Sequence, residues 1–235
     1  MRKKYKNIDF SILTCTILLI IIGLISLYST TLNSNFEELK KQVIWILVSI
    51  PIMIVVIKVD YSLIAKFSPF FYGVTIILLV IVLFTSAING ASSWFQIGGF
   101  SFQPGEFGKI AFILFLSYIL EKIQSNSSKN INKIKNLALI LVIAAIPIGL
   151  IIMQPDYGTA VAYLSATILM LFVAGIDKKY ILIAALLIAI ILPLMYFFVL
   201  PEHAKNRINV YLNPNIDPRG AGYNIIQSKL AIGAR

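Results

Sequence analysis

Seven apolar blocks on the scale of a lipid bilayer limit what this chain can fold into more than any other feature. They cover residues 10–28, 42–57, 67–87, 106–120, 137–153, 159–175 and 180–200. A helix needs about 20 apolar residues (roughly 17–25) to cross hydrocarbon. In lipid every backbone N–H and C=O must be bonded within the segment, which favours helices. The second block is short, but Lys41 and Lys58 flank it, and their aliphatic stems can reach the interface. The expected fold is all-α, a polytopic membrane helix bundle over residues 1–200, followed by the start of a large extracytoplasmic loop over 201–235. Only 13% of residues are charged, against about 25% in a soluble domain. The first block follows Arg2, Lys3, Lys4 and Lys6, as in a signal peptide, but it is longer than an h-region and no small-x-small cleavage site follows it.

The distribution of Lys and Arg sets the expected orientation. The N-terminal residues, the connections after blocks two and four, and the connection after block six carry most of them. The positive-inside rule then places the N-terminus in the cytoplasm. By alternation residues 89–109, the hairpin at 154–159 and the C-terminal segment lie outside. The net charge of +10 is accounted for in this way, and nucleic acid is not an expected partner. Lys205, Arg207, Arg219, Lys229 and Arg235 break the pattern, against only Glu202 and Asp217. Either an anionic group is bound there, or these charges lie too far from a span to affect topology. A single Cys15 excludes an internal disulfide, and a single His203 excludes a multi-histidine metal site. No P-loop, GxSxG elbow or HExxH zinc motif is present.

Three polar segments interrupt the apolar pattern. In NGASSWFQIGGFSFQPGEFGK (89–109), Gly90, Gly98 and Gly99 alternate with Trp94, Phe95, Phe100 and Phe102. That composition predicts a re-entrant or hairpin loop with aromatics at headgroup depth. Pro104 suits the first turn of a helix. Glu106 and Lys109 then share a face at i, i+3. They form either an anchoring interfacial pair or a pair lining a polar cavity. In QPDYGTA (154–160), Pro155 and Gly158 supply a turn. Asp156 either caps the next helix or contacts substrate or a cation. In RINVYLNPNIDPRGAGYNIIQSKLAIGAR (207–235), DPRGAG is a turn, and Ile225, Ile226, Leu230 and Ile232 predict an amphipathic helix on the membrane surface. Prolines 51, 147 and 193 fall inside spans, and the stretch 124–136 is read as an ordinary solvated loop.

Together these segments resemble the SEDS family (shape, elongation, division and sporulation). Its first signature, G-A-x-R-W-x-x-x-G then Q-P-S-E-x-x-K, stands here as GASSWFQIGG and QPGEFGK, with Ser93 and Gly105 as departures. Its second, Q-P-D-x-G-T, stands as QPDYGT. Its third, D-P-x-G-A-G-Y-x-I-I-Q-S-K-x-A-I-G, stands as DPRGAGYNIIQSKLAIG, a match that favours the elongation branch over division and sporulation. The resemblance implies a peptidoglycan glycosyltransferase that polymerises lipid II, the undecaprenyl-pyrophosphate-linked disaccharide peptide, for cell-wall elongation. It implies a class B penicillin-binding protein as partner. Carried over motif by motif, the implied substrate-binding residues are Trp94, Gln103, Glu106 and Lys109 from the first signature and Asp156 from the second. Asp217, Tyr223, Gln227 and Ser228 come from the third, while Arg207 and Arg219 are substrate-binding candidates by their charge, which could meet the departing pyrophosphate. The family has ten spans and continues with S-G-G and later H-T-D-F-I-F, whose Asp is assigned to catalysis. Seven spans here suggest a truncated form, with no catalytic residue in this chain. No cofactor is required by the sequence, although a divalent cation beside a pyrophosphate is chemically reasonable. The alternatives are a flippase or transporter for a lipid-linked precursor, and a non-catalytic fragment.

Overall fold

In a computed structural model, which describes residues 9–32, 35–86, 91–97, 100–125, 127–200 and 202–233, every apolar block is a helix. The N-terminal basic cluster, Gly90, Gly98, Gly99 and Arg235 lie outside the described residues. The chain divides into two compact units at Phe67/Ser68. The first holds α1 (Phe10–Thr30), α2 (Glu37–Lys58) and the start of α3 (Tyr61–Val82). Asp9 caps α1 by accepting the N–H of Ser11 at 2.8 Å. No residue of α1 or α2 is buried. A helix that is apolar on every side and uncovered by protein suits a lipid environment.

The second unit begins within α3. It continues through strands β1 (Phe95–Ile97) and β2 (Phe100–Phe102), α4 (Pro104–Gln124), α5 (Ile134–Met153), α6 (Tyr157–Val173), α7 (Lys178–Leu194), α8 (Glu202–Leu212) and α9 (Tyr223–Gly233). Its core is formed by Leu79 of α3, Phe112, Leu116 and Leu120 of α4, Ile140, Ile143, Ala144 and Ile151 of α5, and Ala160, Tyr163 and Leu171 of α6. The α4 residues recur every four positions, so one stripe of that helix faces the core. Among the described residues five helices (α1, α2, α3, α5, and α7 with its continuation to Phe198) are long and apolar enough to cross a membrane. Of the other two expected spans, α6 is apolar but shorter. The 21-residue α4 carries Glu106, Lys109, Glu121 and Lys122 near its two ends.

Several expectations shift. Helix α2 starts at Glu37 rather than at 42, and α3 spans Tyr61–Val82 rather than 67–87. Lys66 is therefore helical, and only Val59 and Asp60 separate α2 from α3. Asp60 accepts the N–H of Ser62 at 3.0 Å, which starts α3 early. Gly158 belongs to the first turn of α6, not to the turn before it. The aromatic segment is a two-stranded antiparallel hairpin, the one β element in the described part of an otherwise helical fold. The stretch 124–136 is not an ordinary solvated loop. It contains a 3₁₀ turn (Ser128–Asn132) whose Ile131 is fully buried in the core.

A helical proline and a helix end explain two long-range hydrogen bonds. Pro147 inside α5 has no N–H to offer the carbonyl of Ile143. Tyr72 of α3 donates its hydroxyl to that carbonyl at 2.7 Å. At the end of α3 the N–H of Leu83 bonds to Val80, one residue short of the α pattern. The carbonyl of Leu79 is left over, and buried Gln154 donates its side-chain amide to it at 3.0 Å. Pro69 inside α3 is a further helical proline. After Pro193, α7 loosens into a π segment (Met195–Val199).

Candidate functional site

The hairpin, the start of α4 and the turn before α6 meet at one end of the second unit. Phe95 and Phe102 pair across the hairpin with ring centroids 6.4 Å apart, and Phe102 stacks on Phe107 of α4 at 4.7 Å. This ladder fixes the hairpin to the first turn of α4. Trp94, half-buried, precedes β1, and its carbonyl accepts the Thr85 hydroxyl at 3.4 Å. Ser93 beside it is buried.

Gln103 immediately precedes α4, and Pro104 takes the first helical position, as expected. The Gln103 side-chain amide donates to one carboxylate oxygen of Asp156. The other oxygen accepts the N–H of Thr159 at 3.2 Å and so caps α6. The capping role of Asp156 therefore holds, and the same carboxylate also joins the first signature to the second. One turn into α4, Lys109 Nζ lies 2.7 Å from Glu106 Oε1, the pair anticipated from their spacing. The Lys109 side chain is 29% exposed and that of Glu106 50%, so the pair sits at the edge of the bundle rather than inside it.

The contacts beneath the pair are close. Tyr163 of α6, fully buried, donates its hydroxyl to the Gly105 carbonyl at 3.1 Å. A Cβ placed on Gly105 would lie 3.1 Å from Thr159 Cγ2. One placed on Gly108 would overlap Thr75 Cγ2 and lie 2.7 Å from the Tyr163 hydroxyl. Two glycines three residues apart thus let α3 and α6 approach the start of α4, as small residues do between membrane helices. Gln154, Tyr163 and Thr75 were not among the residues singled out from sequence. Gln154 alone carried a signal, as a lone amide ending an apolar block.

The third signature forms a separate group. Asp217 accepts the N–H groups of Gly220 and Ala221, both at 2.9 Å, and so closes the DPRGAG turn. A Cβ on Gly222 would overlap the Pro214 carbonyl. Arg207 lies on α8, and Arg219, Tyr223, Gln227 and Ser228 are exposed on the turn and α9. Ser228 donates to Asn224 within α9 at 2.7 Å. A groove of about 370 Å³ between the Pro214–Ile216 turn and α9 is lined by Pro214, Asn215, Ile226, Lys229, Leu230 and Gly233. Among the described residues no hydrogen bond or ion pair joins this group to Gln103, Glu106, Lys109 or Asp156. Nor does any group of three or more His, Cys, Asp or Glu stand together as metal ligands.

These features define a multi-pass helical membrane protein with a polar cluster where two connecting segments meet. The chain belongs to the FtsW/RodA/SpoVE family of cell cycle proteins, whose model matches residues 9–234. It is 34% identical to the probable peptidoglycan glycosyltransferase FtsW of Trichlorobacter lovleyi, over 100% of this chain and 63% of that protein. It is 30% identical to the peptidoglycan glycosyltransferase MrdB of Escherichia coli, over 97% and 60%. Its fold matches a chain in a structure described as a peptidoglycan synthase complex that coordinates polymerization and crosslinking. That match has a TM-score of 0.81 at 25% identity, over 97% of this chain and 66% of that one. The rod shape determining protein RodA of Thermus thermophilus shares the fold at a TM-score of 0.68 and 23% identity, over 80% and 60%. The chain spans between 60% and 66% of the length of these relatives. Family and apolar helices together place it in the bacterial cytoplasmic membrane.

Proposed function

We propose that the protein to which this chain belongs is a peptidoglycan glycosyltransferase that polymerises lipid II, and that the Gln103–Asp156 end of the second unit forms part of its extracytoplasmic substrate cavity. The observation that carries this reading is the hydrogen bond between Gln103 and Asp156. It joins two signatures that are 53 residues apart in sequence, beside a partly exposed Glu106–Lys109 pair. The named activity of the curated relatives supports the reaction. In that reaction the 4-hydroxyl of one disaccharide attacks the anomeric carbon of another, and undecaprenyl pyrophosphate leaves. A carboxylate must take the hydroxyl proton, and no residue of this chain is assigned to that step. Positive charge must meet the departing pyrophosphate, a role for Lys109, Arg207 and Arg219. Glu106 holds Lys109 in place, and Asp156 braces the rim.

The partner reading is a class B penicillin-binding protein that crosslinks the polymer. The fold match to a complex coordinating polymerization and crosslinking supports it. An elongation role rests on the third signature, since the relatives include both FtsW and MrdB. The test uses a full-length homologue reconstituted with lipid II, comparing glycan polymerisation with lipid translocation. Polymerisation that falls at least tenfold in the Asp156→Asn variant is expected. Full polymerisation in that variant removes Asp156 from the site, and translocation without polymerisation refutes the enzyme reading.

A further inference from the structure

At the other end of α4 the connecting segments are tied together. Asn132 and Asp177 exchange two hydrogen bonds, each of 2.9 Å, between the α4–α5 and α6–α7 connections. Tyr180 donates to the Asn132 carbonyl at 3.3 Å, and Gln124 donates to the carbonyl of Ala174 at 2.7 Å. Asn130 and Asn136 add bonds to Ile123 and Asn130, and Ile131 anchors the turn in the core. Around this clamp Lys122, Lys129, Lys133, Lys135, Lys178 and Lys179 are all exposed. Lys179 faces Asp177 at 3.6 Å, while the other five make no ion pair with any described residue. Glu121 and Asp177 are the nearby carboxylates in sequence.

We propose that the lysine-bearing end of α4–α7, held in shape by the Asn132–Asp177 clamp, is a preorganised binding surface for the headgroups of anionic phospholipids. Three features favour a lipid over a soluble acidic partner. The 21 residues of α4 rise about 31 Å, close to one hydrocarbon thickness, so this end sits at headgroup depth if the Gln103–Asp156 end lies at the opposite surface. The lysines lie on the connecting turn or on the last and first turns of helices, where long stems reach the phosphate plane. Basic residues there gain from the negative potential of anionic lipids. The clamp removes the ordering cost that a floppy loop would meet on binding. The inference needs only the membrane placement and does not depend on the reaction.

The experiment places the full chain in nanodiscs of mixed phosphatidylglycerol and phosphatidylcholine and measures the lipids retained on extraction by native mass spectrometry. Selective retention of phosphatidylglycerol is expected. The triple variant Lys129→Gln, Lys133→Gln, Lys178→Gln should lower the retained ratio by about tenfold, allowing for salt screening. Asn132→Ala, which leaves the charge unchanged, should lower it by a smaller factor. An unchanged ratio in the triple variant overturns the proposal, and circular dichroism confirms that these exposed substitutions leave the helices intact. An unchanged ratio in Asn132→Ala overturns the preorganised part of it. Competition by inorganic phosphate as effective as by lipid, or capture of polyglutamate without lipid selectivity, also overturns it.

Discussion

Substitution of Gly108 by Ala tests the packing under the candidate site. In an ordinary membrane helix this change gains about 1 kcal/mol from helix propensity. Here the new methyl meets Thr75 Cγ2 and the Tyr163 hydroxyl, and neither yields easily. Thr75 is β-branched and its hydroxyl is held by the Phe71 carbonyl at 2.9 Å. Tyr163 is held by Gly105 and by its contact with Phe112, at a centroid distance of 5.0 Å. Overpacking of this kind costs about 1–3 kcal/mol, so the expected net loss is about 1 kcal/mol, and more where the backbone cannot shift. Thermal unfolding in detergent, followed by circular dichroism, should show Gly108→Ala melting about 2–6 °C below the parent. Gly149→Ala on α5, where a Cβ meets nothing within 4 Å, should melt at or above it. Thr75→Ser removes Cγ2 but keeps the hydroxyl, and should recover about half of the loss in the Gly108→Ala background. Equal melting of the Gly108 and Gly149 variants would refute the close-packing argument.

Tyr72→Phe should cost about 1–3 kcal/mol, because it leaves the Ile143 carbonyl unpaired. Adding Pro147→Ala should recover much of that, since alanine restores the N–H that α5 lacks, and the same melting assay reads it. Gln103→Ala and Asp156→Ala should be less than additive, with a coupling of about 0.5–2 kcal/mol measured by a double-mutant cycle. Glu106→Gln should shift the melting temperature little, because the pair is partly exposed. In a full-length homologue the same substitution should reduce polymerisation, and unchanged polymerisation would detach the pair from the reaction.

The positions of all seven hydrophobic helices could be read from sequence because span length is set by the bilayer. Boundaries were less legible. The polar start of α2 at Glu37 and the early start of α3 after Asp60 depend on local bonds that hydropathy does not register. The Glu106–Lys109 pair and the Asp156 cap were legible because each involves residues three apart. The contacts of Gln103 with Asp156, of Tyr163 with Gly105 and of Gln154 with Leu79 were not, since each spans more than 50 residues. Composition misled at 124–136, where asparagines that suggest a solvated loop instead bond to the end of α4, to their own turn and to the α6–α7 connection.

Gln154 connects the QPDYGT hairpin to the end of α3, and Thr85 just beyond that end reaches the carbonyl of Trp94. A transplant of either signature alone into an unrelated scaffold would therefore lose its shape, because each is held by atoms that the other segments supply. Protein engineers recombining members of this family should exchange residues 72–180 as one block, since the cross-links from Tyr72 to Tyr180 lie within it.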